Sequence, residues 1–178
     1  MGINHEEQKR QHELAVASDF VAYLRELGHE LGDPRPCVIQ GKREPDAVCD
    51  SPAGSIGIEV ADAFHDEEVA KELWSVPRGK RLQTSRGFID AYLCLAESVN
   101  KTLRKHCDKP YSMPKVYFII NAIHAPQTEA DDAPSLLPHI QIPENCRFIA
   151  VYLRLQDHYP GKGVFIEVRH TLDKGCPG

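Results

Sequence analysis

Residues 45–61 read PDAVCDSPAGSIGIEVA, and the alternation inside that stretch decides the fold. Ile56, Ile58 and Val60 alternate with Gly57, Glu59 and Ala61, the period of a strand with one packed face. Asp46–Asp50 precedes it across Ser51-Pro52-Ala53-Gly54, which has the composition of a turn. Closing that four-residue turn between Asp50 and Ser55 sets Cys49 against Ile56, Ala47 against Ile58 and Asp46 against Glu59. One face then holds Ala47, Cys49, Ile56, Ile58 and Val60, all apolar. The other carries Asp46, Val48, Asp50, Gly57, Glu59 and Ala61. A slip of one residue would put carboxylates among the isoleucines, so the pattern selects this register.

Two carboxylates facing each other across a ladder repel. A cation, a raised pKa or open solvent must compensate, and a hard divalent ion such as Mg²⁺ suits oxygen ligands. Glu13 adds to the case. It precedes Val16, Ala17, Phe20 and Leu24 at helical spacings, so it falls on the core-facing stripe of a first helix and needs a partner there. The plainer alternative is that Glu13 lies near the helix start and reaches water along its own stem.

Outward from the hairpin, Val16, Phe20, Leu24 and Leu27 predict a helix over 6–27 that stops at Gly28. Cys37–Ile39 predicts a short strand. Asp66 is placed to cap a short helix over 67–74. Ile89, Tyr92, Leu93, Ala96, Val99 and Leu103 predict a second long helix over 88–105. Val116–Ile120 is a near-continuous apolar run, as for a strand covered on both faces. The proline-rich stretch 125–143 reads as loop with at most one helical turn. Phe148–Leu153 and Val164–Val168 predict two last strands joined through a Gly161/Gly163 turn. Helices and strands in this order predict an α/β sandwich with a mixed central sheet flanked by helices.

The 178 residues suit a single domain, 1–178, and a hydrophobic share of 42% is enough for a real core. No apolar run approaches the roughly 20 residues that cross a bilayer. The polar N-terminus lacks a secretory core, so a cytoplasmic protein with no membrane partner is expected. Six scattered cysteines without a CxxC pair read as reduced thiols, and His5 with His12 does not by itself make a zinc site. The net charge of −5 argues against a nucleic-acid coat protein, yet residues 73–89 hold Arg78, Lys80, Arg81 and Arg86 and no acid. Lys101, Arg104, Lys105 and Lys109 form a second basic cluster. Each cluster taken alone reads as a solvated surface. Neither a GxSxG elbow nor a GxxxxGK[ST] phosphate loop occurs.

Pro45-Asp46, a turn, and Ile58-Glu59-Val60-Ala61 resemble the core of the PD-(D/E)XK nuclease superfamily, the restriction-endonuclease-like fold. Its usual order of helix, three-stranded hairpin sheet, helix and strand matches the elements predicted between Glu6 and Ile120. The resemblance implies one or two Mg²⁺ (or Mn²⁺) ions on Asp46 and Glu59, with the backbone carbonyl of Val60 as a further ligand. It implies that Glu13 is a ligand or a ligand support. The implied activity is hydrolysis of phosphodiester bonds in nucleic acid, DNA ahead of RNA, and a homodimer stays open. Ala61 stands where the superfamily has the lysine that orients or activates the attacking water. Either the lysine has migrated, with Lys42 or Lys71 as its replacement, or the fold no longer cuts. The segment Arg78, Lys80, Arg81 and Arg86 would then form a phosphate-contacting rim, with Gln83 helping to orient substrate. Three functions therefore stand side by side: a metal-dependent nuclease, a catalytically degenerate binding or regulatory module, and an unrelated α/β domain with solvated acids.

Overall fold

A computed structural model of the chain describes residues 5–37, 43–63, 91–123, 129–157 and 163–170. The elements are α1 (His5–Glu26), β1 (Arg35–Pro36), β2 (Ala47–Ser51), β3 (Gly54–Asp62), α2 (Ala91–His106), β4 (Val116–Asn121), α3 (Ala133–Leu136), β5 (Ala150–Gln156) and β6 (Gly163–His170). The six strands form one mixed sheet in chain order. Antiparallel pairing joins β1 to β2, β2 to β3 and β5 to β6, while β3, β4 and β5 run parallel. The result is the α/β sandwich expected from the sequence.

The hairpin adopts the expected register: Ala47 pairs with Ile58 and Cys49 with Ile56. Its turn is tighter than the four residues expected, because Ser51 also pairs with Gly54. Gly54 has φ of 107°, a left-handed conformation that glycine adopts without a Cβ clash. The apolar face of the hairpin meets Val16, Ala17, Phe20, Val21 and Leu24 of α1 in one core. Phe20 is wholly buried among the rings of Tyr117, Tyr152 and Phe165, so truncating it would cost about 3–5 kcal/mol. The opposite face packs Leu95, Ala96, Val99 and Leu103 of α2 against Phe118, Ile120, Leu153 and Leu136. Every residue of β4 is buried, as its apolar run requires.

Several sequence expectations differ from the structure. Leu27 is 58% exposed, because α1 has already ended. Gly28 (φ 93°) donates to the Arg25 carbonyl and His29 to that of Leu24, a Schellman closure that turns Leu27 outward. On α2, Ala96, Val99 and Leu103 are buried as expected, but Leu95 joins them while Leu93 is only half-buried. Among the described residues the edge strand is Arg35–Pro36, ahead of Cys37; Val38 and Ile39 of the expected strand lie outside the described part. Proline is tolerated on a sheet edge because its missing N–H breaks no inner ladder. The proline-rich stretch forms slightly more than the single turn expected: a 3₁₀ turn, α3 and a second 3₁₀ turn. The helix expected over 67–74 lies outside the described residues.

Candidate functional site: a carboxylate cluster on β3

The β2–β3 ladder ends at Ala47 and Ile58, one residue short of Asp46. Instead of continuing the backbone ladder, the Asp46 side chain accepts a hydrogen bond from the Val60 N–H at 2.8 Å. In a strand, the N–H and C=O of one residue point to the same edge. The Val60 carbonyl therefore lies on the Asp46 side, beyond the last β2 pair. Gly57 makes the approach possible. A Cβ there would meet the ring of buried Pro45 at 2.8 Å, so Pro45-Asp46 could not lie this close to β3 over any larger residue.

Glu59, 3% exposed, faces α2 and is held there by two donors. Its Oε1 contacts Lys109 Nζ at 2.8 Å and His106 Nδ1 at 3.0 Å. Burial acts to raise the Glu59 pKa, but the His106 and Lys109 hydrogen bonds and the Lys109 charge outweigh it. The carboxyl ends up below the ordinary glutamate range. The Tyr111 hydroxyl is buried without a hydrogen-bond partner among the described residues, and its pKa is pushed up by burial and by the Glu59 charge. Phe118 stacks on the His106 ring at 5.2 Å and on Phe148 at 4.5 Å, which fixes the plane of the imidazole.

Local sequence explains why these groups meet. The β3–α2–β4 crossover returns the chain to the start of β4, and Glu59 pairs with Phe118 two residues into that strand. The corner after α2 therefore lies over Glu59. Pro110 forbids further helix. Ser112 ties the corner to the segment before Asp46, donating its N–H to the Arg43 carbonyl and its hydroxyl to Glu44 Oε1 at 2.7 Å.

Asp46 is balanced differently. Burial and the charges of Glu59 and Glu13 push its pKa up to about 7, against the Val60 hydrogen bond and the Lys9 charge. Glu13 does approach the pair from α1, as its helical position suggested. Its carboxylate lies 3.3 Å from Lys9 Nζ, and burial raises its pKa. Asp50 shares the face of Asp46 by parity but not its surroundings, being exposed and paired with Arg35 at 2.8 Å.

Asp46 thus feels the charges of both Glu59 and Glu13. Lys42, Lys71, Arg78, Lys80, Arg81, Arg86 and Gln83 all lie outside the described residues. The surface reading of the second basic cluster holds for Lys101, Arg104 and Lys105, which are exposed, and fails for Lys109. Lys109 and His106 are the residues that sequence reasoning missed. The signal was their position just ahead of the strand that pairs with β3. A hard divalent ion fits the donor set of Asp46, Glu59 and the Val60 carbonyl, because its charge would offset what now raises the Asp46 pKa. Among the described residues, no group of three or more His, Cys, Asp or Glu side chains is placed to hold a metal, so any ligand set there mixes side chains with backbone or solvent.

No protein-family model and no curated protein matches this chain. Among solved structures it is similar to that of Pyrococcus furiosus SfsA in complex with Ca²⁺, at 12% identity and a TM-score of 0.28. That match covers 84% of this chain and 58% of the other, and at this TM-score it supports no conclusion about either fold or function. Among the described residues, no helix is long and apolar enough to cross a membrane.

Proposed function

We propose that the chain is a metal-dependent phosphodiester hydrolase of the PD-(D/E)XK type acting on nucleic acid, with Lys109 supplying the ammonium that Ala61 lacks. The observation that carries this reading is the 2.8 Å contact of Lys109 with Glu59, beside a carboxylate pair whose second member has its pKa near 7. Asp46, Glu59 and the Val60 carbonyl would hold Mg²⁺ or Mn²⁺, and Glu13 would support Asp46. When bound, such an ion polarises the scissile phosphate and acidifies a water. Lys109, 2.8 Å from Glu59, would donate to the attacking oxygen, restraining its direction of approach. His106 holds the Glu59 carboxylate in place from the side. The basic segment at Arg78, Lys80, Arg81 and Arg86 would contact phosphates.

A second reading, a binding or regulatory module that no longer cuts, is favoured by one specific feature. Glu59 Oε1 is already occupied by both His106 and Lys109. An incoming ion must use the other oxygen or displace a donor.

A metal titration followed by cleavage assays separates the two readings. Melting curves with Mn²⁺ should rise by about 1.4 kcal/mol at an ion concentration ten times Kd. The apparent affinity should fall about tenfold per pH unit below pH 7, because Asp46 must lose its proton to bind. Parallel assays on duplex DNA, single-stranded DNA and RNA should then show cleavage. Metal binding without cleavage of any of them favours the binding module, and melting curves indifferent to metal at pH 8 sink both metal readings.

A further inference from the structure

Cys107 and Cys146 stand apart from the chemistry above. Cys107 is the first residue after α2, between His106 and Lys109, and Cys146 precedes β5 in a turn closed by its N–H to the Pro143 carbonyl. Both are buried in the cluster around Phe118 and Phe148, and their sulfurs are 2.8 Å apart. A disulfide needs about 2.05 Å, so the two atoms are about 0.8 Å short of bonding distance. Buried thiols usually pack as small hydrophobes and are inert. Two of them in sulfur–sulfur contact across 39 residues of chain are placed for more than packing.

We infer that Cys107 and Cys146 are a redox pair, joined reversibly by an oxidant of the peroxide class, and that joining them stiffens the corner carrying His106 and Lys109. Cys146 is the more accessible of the two, at 7% against 1% exposure, and reacts first. Its thiolate attacks one peroxide oxygen, the O–O bond breaks, and the released hydroxide takes a proton and leaves as water. Cys146 becomes a sulfenic acid. The Cys107 thiolate then attacks that sulfur; the S–S bond forms, the S–O bond breaks, and a second water leaves with a proton from solvent. The two thiols lose two electrons in total and the peroxide gains them. A dithiol reductant reverses the exchange. The bond would tie the end of α2 to the segment before β5, adding to the Ser112 tether to Arg43 and Glu44. Its formation does not depend on the proposed function; any consequence for metal or substrate does.

The test uses the full chain, treated with hydrogen peroxide, blocked with an alkylating agent and digested with trypsin. Trypsin cuts after Lys115, between the two cysteines, so a crosslink joins two separate peptides. The expected product is a Cys107–Cys146 crosslink that a dithiol reductant removes. Oxidation should also slow hydrogen exchange severalfold at the amides of 107–109 and 111. Cys146→Ser should lose both the crosslink and the slowed exchange. Crosslinks to Cys37 or Cys94 instead, or Cys107 and Cys146 persisting as thiols while Cys37 and Cys94 oxidise, overturn the pairing. Slowed exchange that survives in oxidised Cys146→Ser overturns the stiffening. The parent-protein arm decides the pairing even if that variant folds poorly.

Discussion

Glu59 and Asp62 lie three residues apart on β3 and point to opposite faces of the sheet, and the polar clusters built on them are balanced in opposite ways. Asp62, on the α1 face, accepts from Asn121 Nδ2 at 2.6 Å and lies 3.0 Å from His12 Nε2. Asn121 Oδ1 accepts from Arg154 Nη1 at 3.2 Å, and Arg154 Nη2 donates to Asp19. Sheet register explains the row, because Asp62, Asn121 and Arg154 are partners across three parallel strands. Acids and cations alternate along it, and the hydrogen bond to Asp62 raises the His12 pKa despite burial. On the α2 face the acids outnumber the cations around Asp46. Glu59 is answered by Lys109 and His106, but Asp46 is left among Glu59 and Glu13 and responds by holding its proton. A charge-matched network of the first kind fastens α1 to the sheet, whereas an unbalanced one of the second kind is where a cation gains the most.

The contrast is most exposed to test through two cations, the half-buried Lys109 and the buried Arg154. Lys109→Met should lower cleavage by about 10²–10⁴-fold, the range for losing a positioned proton donor. Arg154→Met should leave cleavage within a few-fold. Both variants should lose stability, by about 1–3 kcal/mol, since each strips a donor from buried acceptors. Lys109 falls toward the lower end because its side chain is 34% exposed and water screens the pair. Equal losses of cleavage for the two variants would mean that the α2 face has no special role.

Next come the two aspartates, where the expected effects differ in sign. An acid whose folded pKa is raised loses folding stability as pH climbs from its unfolded value of 3.8 toward 7. Asp46→Asn keeps an oxygen for the Val60 N–H and removes that penalty, so at pH 8 it should stabilise the metal-free protein by about 1–3 kcal/mol. Asp62→Asn should destabilise it by a similar amount, because an amide answers His12 and Asn121 less well than a carboxylate does. Denaturant unfolding at pH 8 measures both. Two destabilised variants would show that Asp46 is as well satisfied as Asp62.

The smallest effect concerns His12. Its raised folded pKa makes its stabilisation complete below the unfolded value of 6.5 and lost as pH rises through the folded value. His12→Gln should flatten that part of the stability profile, by about 1 kcal/mol, the scale of one hydrogen bond to a charged group. An unchanged slope from pH 6 to 9 would remove His12 from the network.

What could be read in the sequence was whatever depends on period. The hairpin register, the buried β4 and the two long helices follow from spacings of two and of three to four, because one face of each must leave water. The approach of Glu13 to the β3 acids followed the same way, from its place on a helical stripe. Local closure was less legible. The Schellman turn rotated Leu27 away from a stripe that its spacing joined, and a two-residue turn replaced the four expected at 51–54. The partners of Glu59 could not be read at all. Lys109 is 50 residues away and chemically identical to the exposed Lys101 and Lys105. Only the crossover that brings the α2–β4 corner over Glu59 gives it a partner. Sequence period tells which face of an element leaves water, but the charge that meets a buried carboxylate depends on which distant corner the sheet topology sets against it.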